Sequence, residues 1–204
     1  SLSMRTRWDD RQVVAPVSLI VTAFATLDNV RGTLTPQLQP GDTTLILIDL
    51  GQGRNRLGGS MLAQTLQQFG QEVPDLDDPA LLKSLVAAVN NLRAQGRLLA
   101  YHDRSDGGLW AAVCEMGFAG HRGVSLNVDI LVTESDGIGD SRAEVGDSKN
   151  WAGQVSERRN ELTLRALFNE ELGAVIQVPT ALRDEVMKVA RSIVERQSAF
   201  LERG

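Results

Sequence analysis

The order of apolar patterns in this 204-residue chain predicts a layered α/β domain with helices packed on a sheet. Three observations carry that expectation. Thr44 to Leu50 and Ala174 to Val178 are nearly continuous apolar runs of strand length, as in strands covered on both faces. Helical spacings of apolar residues separate such runs, and glycine or proline punctuates most junctions. Strands separated by helices imply that the helices cover the sheet. Periodicity leaves the strand order open.

In chain order, Val17 to Ala25 is rich in β-formers and partly alternates, which predicts a strand. Leu34 to Gly41 holds two prolines and a glycine and reads as a connection, so a boundary is expected between a unit over 1–40 and a second over 41–204. After the strand Thr44 to Leu50 comes a loop with Gly51, Gly53, Gly58 and Gly59, then a helix over Ser60 to Phe69. The best-signalled helix has Asp78 as cap, Pro79 in its first turn, Leu82, Leu85, Val86, Val89 and Leu92 on one face, and Gly96 as its end. A short strand Leu98 to His102 leads to a helix over Leu109 to Ala119, with Leu109, Ala112, Val113 and Met116 sharing a face. Val124 to Val132 alternates as a further strand. Thr133 to Asn160 is polar and aperiodic and predicts a mobile insertion. A short helix at Leu164 to Phe168, the strand Ala174 to Val178, and a long helix after Pro179 using Leu182, Val186, Val189, Ala190 and Ile193 complete the pattern.

Composition removes several function classes. A net charge of -5 without a basic stripe argues against a nucleic-acid partner, because binding a polyanion needs clustered cations. The longest unbroken apolar stretch, Leu109 to Cys114, is far short of the roughly 20 residues that cross a bilayer. The start, Ser1 to Arg7, has no apolar signal core, so the expectation is a cytoplasmic chain cut from something longer. Cys114 is the single cysteine, which excludes an internal disulfide; its helical context predicts a buried small hydrophobe rather than a nucleophile.

The passage His102-Asp103-Arg104-Ser105-Asp106-Gly107-Gly108-Leu109 runs from strand to helix. A carboxylate at a strand end suits Mg²⁺, which takes oxygen ligands and is commonly shared with phosphates. Ser105 adds a hydroxyl, and the glycines with the helix start offer backbone N–H groups to an anion. Ser and Asp before a helix are also ordinary caps, and Gly-Gly an ordinary turn; on spacing alone that reading is the better one. The loop Gly51 to Ser60 lacks the Lys-Ser/Thr ending of a P-loop and the spacing of a dinucleotide fingerprint, and tight helix packing by Gly58 and Gly59 explains it better. Asn169-Glu170-Glu171 reads first as a solvated helix end. Neither His102 nor His121 is spaced as a metal pair.

Taken together, SLSMRTRW at 1–8, LTPQL at 34–38, LGGS at 57–60, LLAYHDRSDGGL at 98–109, EMGFAGHRG at 115–123 and LFNEELGAVIQV at 167–178 resemble the large, single-chain phosphoribosylformylglycinamidine synthases, in the second half of their synthetase region. The resemblance implies a fold like the C-terminal domain of aminoimidazole ribonucleotide synthase, with helices on a mixed sheet, preceded over 1–40 by the tail of an ATP-binding domain. It implies an ATP- and Mg²⁺-dependent ligase of purine biosynthesis. There ATP activates the amide oxygen of formylglycinamide ribonucleotide, and ammonia from glutamine then displaces phosphate. Position by position it makes Asp103 a magnesium ligand and Ser105 an ATP contact, reversing the preference from spacing alone.

Ser1 and Ser3 fall in a substrate-binding segment of that family, and Asn169 and Glu170 fall where related synthetases contact substrate. No catalytic side chain is assigned. The partners implied are the remaining synthetase domain and a glutaminase domain, whose Cys-His-acid machinery has no counterpart around Cys114. The isolated chain is therefore expected to be inactive. A second reading is a non-catalytic, nucleotide-supported module of the same enzyme. A third, a relative such as aminoimidazole ribonucleotide synthase or selenophosphate synthetase, fits LFNEELGAVIQV and YHDRSDGGL less well.

Overall fold

A computed structural model describes residues 2–128 and 151–201. The chain divides into two compact units, 1–33 and 34–204. In the first, β1 (Leu2–Trp8) pairs antiparallel with β2 (Arg11–Ser18). The strand expected over Val17 to Ala25 does not form beyond Ser18. Leu19, Ile20 and Phe24 lie in irregular backbone and are exposed, so the β-forming residues there have no ladder to join.

The second unit holds β3 (Thr43–Asp49), α1 (Met61–Thr65), α2 (Pro79–Ala94), β4 (Ala100–Asp103), α3 (Gly108–Gly120), α4 (Trp151–Phe168), β5 (Gly173–Pro179), a 3₁₀ turn at Thr180–Leu182 and α5 (Arg183–Leu201). Its three-stranded sheet has the order β3-β5-β4. Asp49 stands opposite Gly173 and Asp103 opposite Ala174, with β5 antiparallel to both neighbours. A mixed sheet was the expectation; among the described residues every pairing is antiparallel. The physical reason is that β3 and β4, which run the same way, are kept apart by β5. Their C-terminal ends and the start of β5 therefore meet at one edge.

Alternation along the strands builds two cores. Ile46, Ile48, Ala174, Ile176 and Val178 pack with Leu81, Leu85 and Leu92 of α2 and Val186 of α5. Ala100 and Val175 pack on the other side with Leu109, Ala112, Val113 and Met116 of α3. Both faces of the sheet are thus covered, which is why β3 and β5 read as continuous apolar runs. The α3 face is the one the spacing predicts. On α2, Asp78 caps by accepting from the Ala80 N–H at 2.8 Å and Pro79 opens the first turn, as expected. Its buried stripe, however, includes Leu81 and leaves Leu82 and Val86 exposed.

Other elements depart from expectation. The helix predicted over Ser60 to Phe69 stops at Thr65, because Gln67 takes a left-handed φ of 55° and leaves Leu66 and Phe69 exposed. Residues 122–127 form no ladder, although Val124 and Leu126 still pack on the α3 core; the rest of the strand expected over Val124 to Val132 lies almost wholly outside the described residues. Of the insertion expected over Thr133 to Asn160, residues 133–150 lie outside the described residues, whereas Trp151 to Asn160 form the first part of α4. Ala, Gln, Glu and Arg are good helix formers, and Glu157 to Asn160 are exposed, so no apolar period is needed there. Farther along, α4 gains the Glu161–Arg165 pair at 2.9 Å and a ring contact between Phe168 and Trp110 of α3 at 6.5 Å. Cys114 is half-buried on α3 rather than buried. No helix among the described residues is long and apolar enough to cross a membrane.

Candidate functional site

The three strand ends converge where the sequence places its strongest signal. Arg104 directly follows β4, and its side chain is 1% exposed. Its Nη2 donates to Asp49 Oδ1 at the end of β3 and to the Leu172 carbonyl at 3.1 Å, while Nε donates to the Glu171 carbonyl at 2.6 Å. One guanidinium therefore ties the ends of β4 and β3 to the entry of β5. Gly173 makes room for it: a Cβ there would stand 3.4 Å from Arg104 Nη2 and would strike the Ile48 carbonyl.

Asp49 also shapes the glycine-rich loop by accepting from the Gly51 N–H at 3.0 Å and the Gly53 N–H at 2.8 Å. Farther along the loop, Arg56 grips the buried Glu171 through Nε at 2.7 Å and Nη2 at 2.8 Å, and donates its backbone N–H to the same carboxylate. Paired acceptors of this kind match the planar fork of Arg. The Glu171 hydrogen bond, opposed by burial and helped by Asp77, raises the Arg56 pKa and keeps it charged. Asp77 in turn is held below the usual carboxylate range, chiefly by its hydrogen bond to Arg56. Gly51 lies against the Glu171 side chain, where a Cβ would come within 2.6 Å of Cγ. Gly58 packs tightly on the Glu72 backbone, which is irregular rather than the helix expected, and a Cβ on Gly59 would meet open space, its φ of +72° accounting for it instead.

Beside this buried lattice, Asp103 and Ser105 flank Arg104 and are exposed. The Asp103 carboxylate is 68% exposed, and His102 Nδ1 lies 3.7 Å from it. His102 is held by its Nδ1 contact to the Asp103 carbonyl at 2.7 Å and its Nε2 contact to Glu115 at 2.6 Å. Burial, with a smaller contribution from the Asp103 charge, raises the pKa of Tyr101. An open carboxylate at a strand end fits Mg²⁺, which typically takes one or two protein carboxylates and completes its shell with water and phosphate. No cluster of three or more metal-ligating side chains occurs among the described residues. Asp103, followed two residues on by the Ser105 hydroxyl, would therefore have to hold such an ion together with water and phosphate oxygens.

The helix start is less open than the sequence suggests. Glu170 Oε1 accepts from the Gly107 N–H before α3 and from the Met61 N–H at the start of α1, both at 2.8 Å. Gly107 and Gly108 adopt φ of +81° and +67°, and a Cβ on Gly108 would meet the Asn169 carbonyl at 2.6 Å. Backbone conformation and packing account for this pair of glycines. Asn169 is buried: its Nδ2 donates to Asn55 Oδ1 at 3.0 Å and the Arg165 carbonyl at 2.7 Å, and its Oδ1 accepts from the Glu171 N–H. Of the sequence candidates, Glu170 thus caps two helices and Asn169 closes the end of α4; the Ser1 and Ser3 side chains lie outside the described residues. Asp49, Arg56 and Arg104 were not singled out, and the solvated helix end expected at Asn169-Glu170-Glu171 is overturned, since Asn169 and Glu171 are buried by their hydrogen-bond partners. The Arg104 position carried a signal, since a residue between two exposed neighbours at a strand end points inward, but nothing local marks Glu171 as buried.

Residues 39–197 match the family model for AIR synthase related protein, C-terminal domain. That domain is shared by formylglycinamidine ribonucleotide synthases, selenophosphate synthases and hydrogenase-maturation proteins. The match takes in the whole three-stranded sheet, its covering helices and the lattice at its edge, and by it this chain belongs to the AIR synthase related C-terminal-domain family, a superfamily of ATP-using enzymes.

Proposed function

We propose that the chain is part of a phosphoribosylformylglycinamidine synthase, in which ATP activates the amide oxygen of formylglycinamide ribonucleotide and ammonia then displaces phosphate to give the amidine. The observation that carries this reading is the exposed Asp103 carboxylate with exposed Ser105 at the edge where the strand ends meet, within a domain of an ATP-using family. Bound at Asp103, Mg²⁺ would supply positive charge for phosphoryl transfer to a weak amide nucleophile. Asp103 would hold that ion, Ser105 would hydrogen-bond the nucleotide, and the Arg104–Asp49 lattice keeps the loop between them fixed. The proposal includes a cytoplasmic enzyme whose remaining synthetase and glutaminase domains complete the site and deliver ammonia. Its test is nucleotide turnover by the full-length protein: ADP formation stimulated by formylglycinamide ribonucleotide supports it, and stimulation by selenide or by the amidine product instead would reassign the chain within its family.

A second reading is a non-catalytic module of the same enzyme. One observation favours it: the Glu170 carboxylate already occupies the Gly107 N–H that a phosphate would use. Ammonia-dependent turnover that survives Asp103→Asn would select it.

A further inference from the structure

We infer that Arg104 is a positioning residue for the metal, acting through Asp103. The inference rests on the reading of Asp103 as a metal ligand. Asp103, Arg104 and Ser105 are consecutive, and only the middle side chain is buried. Its guanidinium is fixed at three points: the Asp49 carboxylate and the carbonyls of Glu171 and Leu172. The backbone N–H of Arg104 also donates to the Gly173 carbonyl at 2.9 Å. With main chain and side chain of Arg104 both tied to the same stretch of β5, the residues on either side cannot rotate independently of the sheet. The Asp103 carboxylate, exposed and 3.7 Å from His102 Nδ1, is presented from a backbone that the β4–β5 ladder holds on one side and the Arg104 lattice on the other.

The arrangement is more than a stability device in one respect. A hydrophobic side chain could fill the same volume at lower desolvation cost, since buried ion pairs are weak evidence for stability. What such a side chain could not do is fix direction, because three donors aimed at three acceptors define an orientation and apolar packing does not. Groups that orient a metal ligand typically change metal affinity by about 10- to 100-fold when removed.

The test measures Mn²⁺·ADP affinity in the full-length protein by electron paramagnetic resonance of the metal, alongside melting temperature. The key variant is Arg104→Gln combined with Asp49→Asn, which removes both charges together. Leu85→Ala, in the core away from the lattice, serves as a control for lost stability. The expected result is that the double variant weakens Mn²⁺·ADP binding about 10-fold or more, beyond any loss in Leu85→Ala at matched distance below the melting temperature. Affinity equal to that of the control would overturn the positioning role and leave Arg104 as structural. Asp103→Asn separates this from failure of the underlying reading. If Asp103→Asn weakens binding while the double variant does not, the inference alone falls; if Asp103→Asn has no effect, the metal assignment falls and takes the inference with it.

Discussion

Across the entry of β5, the guanidinium of Arg104 meets the carboxylate of Asp49, joining the ends of two strands that do not pair with each other. Arg104 directly follows β4 and Asp49 ends β3, and Gly173 opposite Asp49 leaves the space between them clear. The same Asp49 holds the Gly51 and Gly53 N–H groups, so one ion pair couples the sheet edge to the glycine-rich loop.

Arg104→Ala should destabilise the domain strongly, because it removes the charge partner of Asp49, which keeps only the Gly51 and Gly53 N–H groups, and the side-chain donor of the Glu171 carbonyl. Breaking a buried pair costs about 3–5 kcal/mol, and the lower end is expected here because Asp49 is 25% exposed. Urea unfolding gives the value; a loss below about 1 kcal/mol, the range of surface pairs, would show that the pair contributes little.

Gly51→Ala should also destabilise, since the new methyl group would sit 2.6 Å from Glu171 Cγ and 2.7 Å from its Cβ. Overpacking of this kind costs about 1–3 kcal/mol. Combining it with Glu171→Ala should recover part of the steric loss, and strictly additive effects in a double-mutant cycle would contradict the contact.

Tyr101 makes stability sensitive to alkaline pH. Its folded pKa is raised above the ordinary tyrosine value of about 10, chiefly by burial, so above that pH the unfolded chain releases the proton first. The contribution is therefore intact below about pH 10 and lost as pH rises through the folded pKa. Tyr101→Phe should flatten the fall in melting temperature in that window, and an unchanged slope would remove Tyr101 as its cause.

How far the sequence carried these conclusions differs by element. The α3 face and the strands β3 and β5 were legible because burial on a single helix face or on both sheet faces leaves an unmistakable pattern. Ser60 to Phe69 was misjudged because a left-handed Gln67 ends the helix without any glycine or proline to announce it. Trp151 to Asn160 was misjudged because an exposed helix stretch carries no apolar period. At the site, Asp103 and Ser105 were visible as residue types at a strand end. The lattice behind them was not, because Arg56 meets Glu171 across 115 residues of chain and Arg104 meets Asp49 across 55, and a buried charge looks like a surface charge until its partner is known.

The isolated chain should not release phosphate from ATP at a substrate-stimulated rate, even with ammonium supplied. On the proposed reading Asp103 would hold the metal without a second ligand from a cluster among the described residues, and positioning supplies roughly 7–11 kcal/mol in favourable cases, which a site lacking its proposed partner groups would forfeit. The assay contains ATP, Mg²⁺, ammonium and formylglycinamide ribonucleotide beside the Asp103→Ala variant. Substrate-dependent release abolished by that variant would mean that this chain holds a complete site.

The most direct measurement is ammonia-dependent turnover of the full-length enzyme carrying Asp103→Asn, because the amide keeps the size of the carboxylate and removes its charge. If Asp103 holds the catalytic metal, kcat should fall by about 100-fold or more, in line with loss of one preorganised electrostatic group, while the melting temperature stays near that of the parent, as expected for a side chain that is 68% exposed. Turnover within a few-fold of the parent would contradict the account and leave this domain as a structural module.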